Sequence, residues 1–379
     1  MSINYLFVLR TFFKLDWALI AATLLLLGVG LLALYSLSAS GNANYFLKQL
    51  IFSLLGLSVM FFVAFSDYRH IEKYSTALYF ITLTVLVGVL ILGTTIHGTV
   101  GWISFGLFYV QPVEIAKVTL IIFLASFISK KKSELGEWTR VVASLILSAV
   151  FIFLVLKQPD LGSGLVLAVI WGGMILASGL RIKHFMVLFI LGGILTSGGW
   201  FMLEGYQKNR INNFIHPESD PRGSGYNVLQ AIVAVGSGGL TGKGIGHGSQ
   251  SQLNFLPEKH TDFIFAVIAE ELGLTGAFFV IALYAVLLYR IKCIGDAAGD
   301  NFGYLVAVGV LVMFFVQIAV NVGMNVGLFP VTGLPAPFLS YGGSSLFSAF
   351  FSLGLLLSSY QRRKVGGDLR ISLEKSFVD

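Results

Sequence analysis

Of 379 residues, 56% are apolar, only 12% carry a charge, and 33 are Phe. No water-soluble core absorbs that much apolar side chain, because even a mid-sized domain needs polar residues to cover its outside, so lipid is the solvent for most of this chain. The single cysteine, Cys293, excludes an internal disulfide framework and any multi-cysteine metal cluster, and the formal net charge of +6 would point to nucleic acid only if the basic residues formed one patch.

Taken in chain order, apolar stretches cover 17–39, 46–66, 74–93, 112–129, 141–157, 162–180, 185–203, 263–289, 303–328 and 341–360. Each approaches the roughly 20 residues with which a helix crosses the hydrocarbon core. Helices are required, because an open sheet leaves backbone groups unsatisfied in lipid. The expected fold is all-α: a polytopic membrane protein of about ten transmembrane helices, with a long loop between helices 7 and 8. No short apolar stretch with a small-residue cleavage site precedes the first span, which is expected to stay in the protein.

The connections set the orientation. Arg10 and Lys14 precede span one, Arg69 and Lys73 follow span two, and Lys130, Lys131, Lys132 and Arg140 follow span four. Arg181 and Lys183 follow span six, Arg290 and Lys292 follow span eight, and Arg362, Arg363, Lys364, Arg370 and Lys375 follow span ten. Most of the 25 basic residues thus fall on one side, and the positive-inside rule makes it the cytoplasm, with both termini there. That placement accounts for the charge without nucleic acid.

Three segments then lie outside. The 94–111 connection has no charged residue but carries His97, Trp102 and Gln111, and 329–340 is rich in Pro and Gly. The third, 204–262, is the large extracytoplasmic loop; loops of this length without a function are uncommon. Within it, 226–236 has the pattern of a short helix on the membrane surface, and Gly236–Gly248 reads as a flexible glycine-rich turn. The latter is no Walker A loop, because Ser237 stands for its first Gly and Gly244 for its Ser/Thr. The six His residues show no close metal-ligand spacing.

Charged side chains within spans are expensive and point to function by default. Glu114 and Lys117 share one helix face near the outer end of span four. They form either an ion pair locking two helices or the wall of a polar cavity in which Lys117 binds phosphate oxygens. Asp160 either caps span six or takes part in chemistry. Gln317, Asn321 and Asn325 make one polar stripe, which interhelical hydrogen bonding explains. The strongest constellation is Leu256-Pro257-Glu258-Lys259-His260-Thr261-Asp262-Phe263, where the long loop re-enters the membrane. Asp262 sits at the boundary, where partial desolvation raises a carboxylate toward the range of a general base. The bland alternative has Thr261 or Asp262 N-capping the next helix and His260 merely interfacial.

These residues resemble a known family. Gly327-Leu328-Phe329-Pro330-Val331-Thr332-Gly333-Leu334-Pro335 followed by Phe338-Leu339-Ser340-Tyr341-Gly342-Gly343-Ser344-Ser345 is similar to the signature of the SEDS proteins (shape, elongation, division and sporulation). The likeness extends through Gln111-Pro112 to Lys117, Gln158-Pro159-Asp160-Leu161-Gly162, Glu218-Ser219-Asp220-Pro221, and Pro257 to Asp262 followed by Glu270-Glu271-Leu272-Gly273. Val113 departs from the Ser common there. The run from Gln250 to Glu258, with Lys259 before His260, is closer to the elongation branch than to the division branch.

The resemblance implies one SEDS transmembrane domain over 1–379, with 361–379 as a cytoplasmic tail, in the bacterial cytoplasmic (inner) membrane. It implies a peptidoglycan glycosyltransferase that polymerises lipid II, an undecaprenyl-pyrophosphate-linked disaccharide-pentapeptide, during cell elongation. Asp262 is then the catalytic general base, and Glu114, Lys117, Asp160, Arg210, Glu258, His260 and Ser340 are expected to bind substrate. The implied partners are a class B penicillin-binding protein and the elongation machinery. The resemblance fixes no cofactor; two outer carboxylates near a pyrophosphate leave room for a divalent cation, Mg or Mn. Two rival roles are a lipid II flippase and a non-catalytic scaffold for the transpeptidase. A flippase needs charge deep along a path open to both sides, whereas the polar residues here gather toward the outer face.

Overall fold

The computed structural model describes residues 15–39, 44–96, 99–106, 109–130, 137–179, 205–216, 223–253 and 255–376. Helix α1 runs Trp17–Ala39, α2 Tyr45–Phe65, α3 Tyr68–Lys73 and α4 Ser75–Leu92. Three short strands follow, β1 Thr94–Ile96, β2 Thr99–Ser104 and β3 Tyr109–Val110. Then come α5 Pro112–Lys130, α6 Glu137–Lys157, α7 Leu161–Ala177, α8 Gly205–Ile215, α9 Ser224–Ser237, α10 Ser249–Gln252, α11 Ile264–Asp296, α12 Asn301–Asn325 and α13 Gly343–Ser376.

Eight of these helices (α1, α2, α4, α5, α6, α11, α12 and α13) are long and apolar enough to cross a membrane, and α7 is an apolar helix one residue too short to count with them. The protein is a multi-pass membrane protein. The span expected at 185–203 lies outside the described residues. Because the helices are apolar all round, packing rather than polarity separates their inner and outer faces. Ile91 and Leu92 of α4 are 78% and 85% exposed, as lipid-facing side chains should be, while α5 and α12 lie mostly inside the bundle. Small residues let the helices close up where no hydrophobic force drives them together. A Cβ on Gly309 of α12 would stand 2.6 Å from Ile121 of α5 and 3.0 Å from Met174 of α7.

Three features depart from the sequence reading. The 94–111 connection is a small antiparallel sheet, with Thr94 opposite Trp102 and Ile103 opposite Val110. Its β-branched run of Thr94, Thr95, Ile96, Thr99, Val100 and Ile103 is strand-forming, and it packs over the outer end of α4. Helix α13 continues past the apolar run that ends at 360, on to Ser376. The third departure is the glycine-rich stretch, which is no flexible turn. Helix α11 breaks at Gly273 (φ 69°, ψ −164°). The carbonyls of Glu270 and Glu271, which a continuous helix would offer to Leu274 and Thr275, accept instead from the N–H groups of Lys243 and Gly244. In return Leu274 and Thr275 donate to the carbonyls of Gly239 and Leu240. Glycine is needed here for close approach, since a Cβ on Gly242 (φ 81°) would lie 2.2 Å from the Glu271 carbonyl oxygen.

The expected surface helix at 226–236 is α9. Val228, Ala231 and Ala234 are buried and α9 packs on α11 and α12, while Leu229, Ile232 and Val233 face outward.

Candidate active site

The loop that re-enters the membrane is a compact knot. Glu258 takes a positive φ of 48°, and its carbonyl accepts from the N–H groups of Thr261, Asp262 and Phe263 at 3.2, 3.1 and 3.3 Å. A non-glycine residue in that conformation is strained, and such strain persists only where the surroundings over-determine it. Here they do. The His260 carbonyl accepts from Tyr341 N–H at 2.8 Å, and the Thr261 carbonyl from the Ser340 hydroxyl at 2.6 Å. The Asp262 carbonyl accepts from both Asn321 Nδ2 and Asn325 Nδ2, at 3.1 and 3.0 Å. Three consecutive backbone carbonyls are thus gripped by side and main chains from α12 and the connection after it.

The same arrangement settles what caps α11. Its N-cap residue is Phe263, which makes no side-chain cap bond, so neither Thr261 nor Asp262 holds that position. Asn325 Oδ1 accepts from Ala266 N–H at 3.0 Å and serves as a cap delivered from another helix. Asn321 is also tied to the Leu334 carbonyl at 2.8 Å. The Asn321–Asn325 stripe therefore does more than join helices, a role its spacing did not reveal.

Around the knot, the His260 ring stacks on Tyr45 at 4.2 Å, with Tyr341 edge-on to Tyr45 at 5.2 Å. Burial pushes the Tyr341 hydroxyl pKa up, with the nearby Tyr45 adding to it. His260 Nε2 lies 4.0 Å from Glu258 Oε2. Lys259 points away, donating to the Ser251 carbonyl, and burial pulls its pKa down against the field of Glu271. Ser340, expected among the substrate-binding groups, is buried, with its hydroxyl spent between Ala336 N–H and the Thr261 carbonyl. Gln49, a lone amide in α2 that sequence reasoning passed over, donates to the Ser340 carbonyl at 3.0 Å and accepts from Gly342 N–H at 3.2 Å. Its signal was an amide, beside Lys48, in the first turns of an otherwise apolar span.

A second polar group lies within the bundle. Lys117 Nζ sits 2.7 Å from Glu114 Oε1, with side chains 0% and 2% exposed. Ser348 of α13 donates to Glu114 Oε2 at 3.3 Å. Asp160 N-caps α7 by accepting from Ser163 N–H at 2.9 Å. Burial raises the Asp160 pKa, against the pull of that cap and of Lys117, which places the two in electrostatic reach. The connection after α12 joins both groups: a Cβ on Gly162 would touch the Thr332 carbonyl at 2.8 Å, and one on Gly333 would lie 3.9 Å from Asp262 Oδ2. Arg210 falls in α8, which packs on α9, and its side chain lies outside the described residues. So do Glu218 and Asp220.

Among the described residues, no three His, Cys, Asp or Glu side chains come together as a metal site. A magnesium-type ion here would draw its ligands from one or two carboxylates and from substrate phosphates.

Comparison with known proteins matches residues 16–364 to the FtsW, RodA and SpoVE family of cell cycle proteins. Stage V sporulation protein E of Bacillus subtilis is 40% identical over 362 residues, covering 92% of this chain and 98% of that one. Peptidoglycan glycosyltransferase MrdB of Escherichia coli is 39% identical over 348 residues, covering 90% and 94%. Among solved structures, the rod shape determining protein RodA of Thermus thermophilus superposes with a TM-score of 0.69 at 28% identity, covering 92% of this chain and 97% of its own. A chain from a peptidoglycan synthase complex, described as coordinating polymerization and crosslinking, gives a TM-score of 0.78 at 30% identity, with 92% and 98% covered.

Proposed function

The chain belongs to the FtsW, RodA and SpoVE family of cell cycle proteins and is a peptidoglycan glycosyltransferase, and from that premise we propose that Asp262 is the general base of the transfer. One observation carries this reading: three successive carbonyls, of His260, Thr261 and Asp262, are each held by groups outside the loop. A side chain that must meet a substrate proton has to be fixed in place before the substrate arrives.

In the proposed reaction, lipid II enters from the bilayer with its sugars in water. The Asp262 carboxylate takes the proton from the 4-hydroxyl of the acceptor GlcNAc as that oxygen attacks the anomeric carbon of the donor MurNAc. The bond from that carbon to the pyrophosphate breaks, and the lipid pyrophosphate leaves. Lys117 faces the departing anion. Glu114 engages one of the three ammonium donors, which leaves two for phosphate oxygens in a water-poor setting. Glu258, His260, Asp160 and Arg210 are assigned to substrate contact, and Ser340 to holding Thr261.

We assign the protein to the bacterial cytoplasmic membrane and to cell elongation, working with a class B penicillin-binding protein. Support for the partner comes from the relative found in a peptidoglycan synthase complex.

The test is glycan polymerisation from purified lipid II, with the cognate transpeptidase present, comparing wild type with Asp262→Asn. Loss of a general base costs roughly 10²–10⁴-fold. A folded Asp262→Asn variant should therefore give no detectable polymer, and equal polymer from both proteins removes Asp262 as the base.

A further inference from the structure

A partly open cavity with a mixed polar and apolar lining lies at the other end of the bundle. It encloses about 120 Å³ among the ends of four helices. Ser129 closes α5, Arg140 opens α6, Ser178 follows α7, and Asn301 and Tyr304 open α12. Helices α5 and α12 present their opposite ends to the sugar chemistry, at Glu114 and Asn325, so the cavity sits at the cytoplasmic face.

Arg140 is the telling residue. Its Nε is buried and has no hydrogen-bond partner. An orphaned donor on a permanent cation is costly, and buried polar groups in native proteins nearly always find an acceptor. Asp300, the N-cap of α12 beside Asn301, has its carboxylate engaged elsewhere. Its two oxygens accept from Gly303 N–H at 2.7 Å and from the Tyr68 hydroxyl at 2.5 Å. The Ser129 and Ser178 hydroxyls donate to Ser126 and Ile175 carbonyls in their own helices. The first turn of α12 adds the positive end of a 25-residue helix. A fork-shaped cation with a spare N–H at headgroup depth matches a phosphate oxygen.

We propose that this cavity binds a phosphate group at the cytoplasmic surface, held by Arg140 and completed by Asn301 and Tyr304. An anionic phospholipid headgroup and free phosphate share that chemistry, and the experiment separates them. The purified full-length protein is titrated with phosphatidylglycerol or phosphatidylcholine and bound lipid is counted by native mass spectrometry. In parallel, inorganic phosphate is titrated in detergent and the shift in melting temperature is followed. Phosphatidylglycerol should bind wild type about fivefold more tightly than Arg140→Gln, with Arg140→Lys between them. Phosphatidylcholine should not distinguish the three. An Arg140-dependent shift with inorganic phosphate alone, and no preference for phosphatidylglycerol, supports the site with free phosphate as its ligand. If neither probe distinguishes wild type from Arg140→Gln, the site is overturned. Should Arg140→Gln fail to fold, Tyr304→Phe decides: it keeps the ring and removes the hydroxyl, so severalfold weaker binding of the same probe supports the site and unchanged binding overturns it.

Discussion

Two carboxylate–ammonium pairs lie toward the outer face, Glu114–Lys117 and Lys243–Glu270, and they are built for different ends. Both carboxylates are buried, and the two distances are similar, 2.7 and 2.9 Å. Lys243–Glu270 joins a loop to a helix 27 residues further on, and the Glu270 carboxylate also accepts the N–H groups of Gln250 and Ser251 at 2.9 and 3.0 Å. It stitches α10 and the glycine stretch to α11. Glu114–Lys117 lies within one turn of one helix, and its carboxylate reaches a second element only through the Ser348 hydroxyl of α13, at 3.3 Å. Burying two charges for a bond that the helix does not need is unfavourable for folding, and an intramembrane charge without a structural task is a functional one. Position in the bilayer is therefore a poorer guide to purpose than what each pair connects.

The sharpest way to break this contrast is Lys117→Met. Polymerisation should fall by at least roughly 100-fold, as when a group that stabilises developing charge is removed. The fold should survive, because Met fills the space of a lysine stem and Ser348 still donates to Glu114. Near-normal polymer from Lys117→Met would return the pair to a structural role. Glu270→Gln should act in the opposite sense. Its amide keeps one acceptor oxygen and sets a donor against the N–H of either Gln250 or Ser251, and loss of a buried charge partner costs about 3–5 kcal/mol. The expected outcome is a lower unfolding temperature and faster proteolysis within 238–252; an unchanged digestion pattern would contradict the stitching role. Asn325→Ala should cost about 1–3 kcal/mol by leaving Ala266 N–H without its cap, and should lower the rate of glycan transfer more than substrate affinity. An unchanged kcat would separate the grip on Asp262 from catalysis. The smallest effect compares two glycines. Gly246→Ala meets open space and carries only the cost of a left-handed backbone, about 1–2 kcal/mol, whereas Gly242→Ala adds a clash with the Glu271 carbonyl. Thermal unfolding of the two variants should rank Gly246→Ala as the milder.

The spans among the described residues were legible because length and apolarity alone decide them, and the re-entry motif around Asp262 was legible because charge at a membrane boundary is rare. Other parts were hidden for physical reasons. Asn321 and Asn325 hold a carbonyl about sixty residues away, and a side-chain amide bonding to main chain leaves no mark in the sequence of its target. The glycines from Gly238 to Gly246 read as freedom, although at Gly238 and Gly242 the absent Cβ serves contact instead. The sheet at 94–110 was too short and too uncharged to stand out from a plain connection.

The break at Gly273 has a consequence for how the protein is made. A membrane helix normally closes its own backbone hydrogen bonds and can enter the bilayer as an independent unit. Helix α11 cannot do so at Glu270, Glu271, Leu274 and Thr275, whose backbone partners all lie between Gly239 and Gly244. Those partners come earlier in the chain, so they have already left the ribosome when α11 emerges. Translation order thus delivers the loop before the helix that needs it, and a circular permutant opened between Gly248 and Ser249 would have to insert α11 with these groups bare.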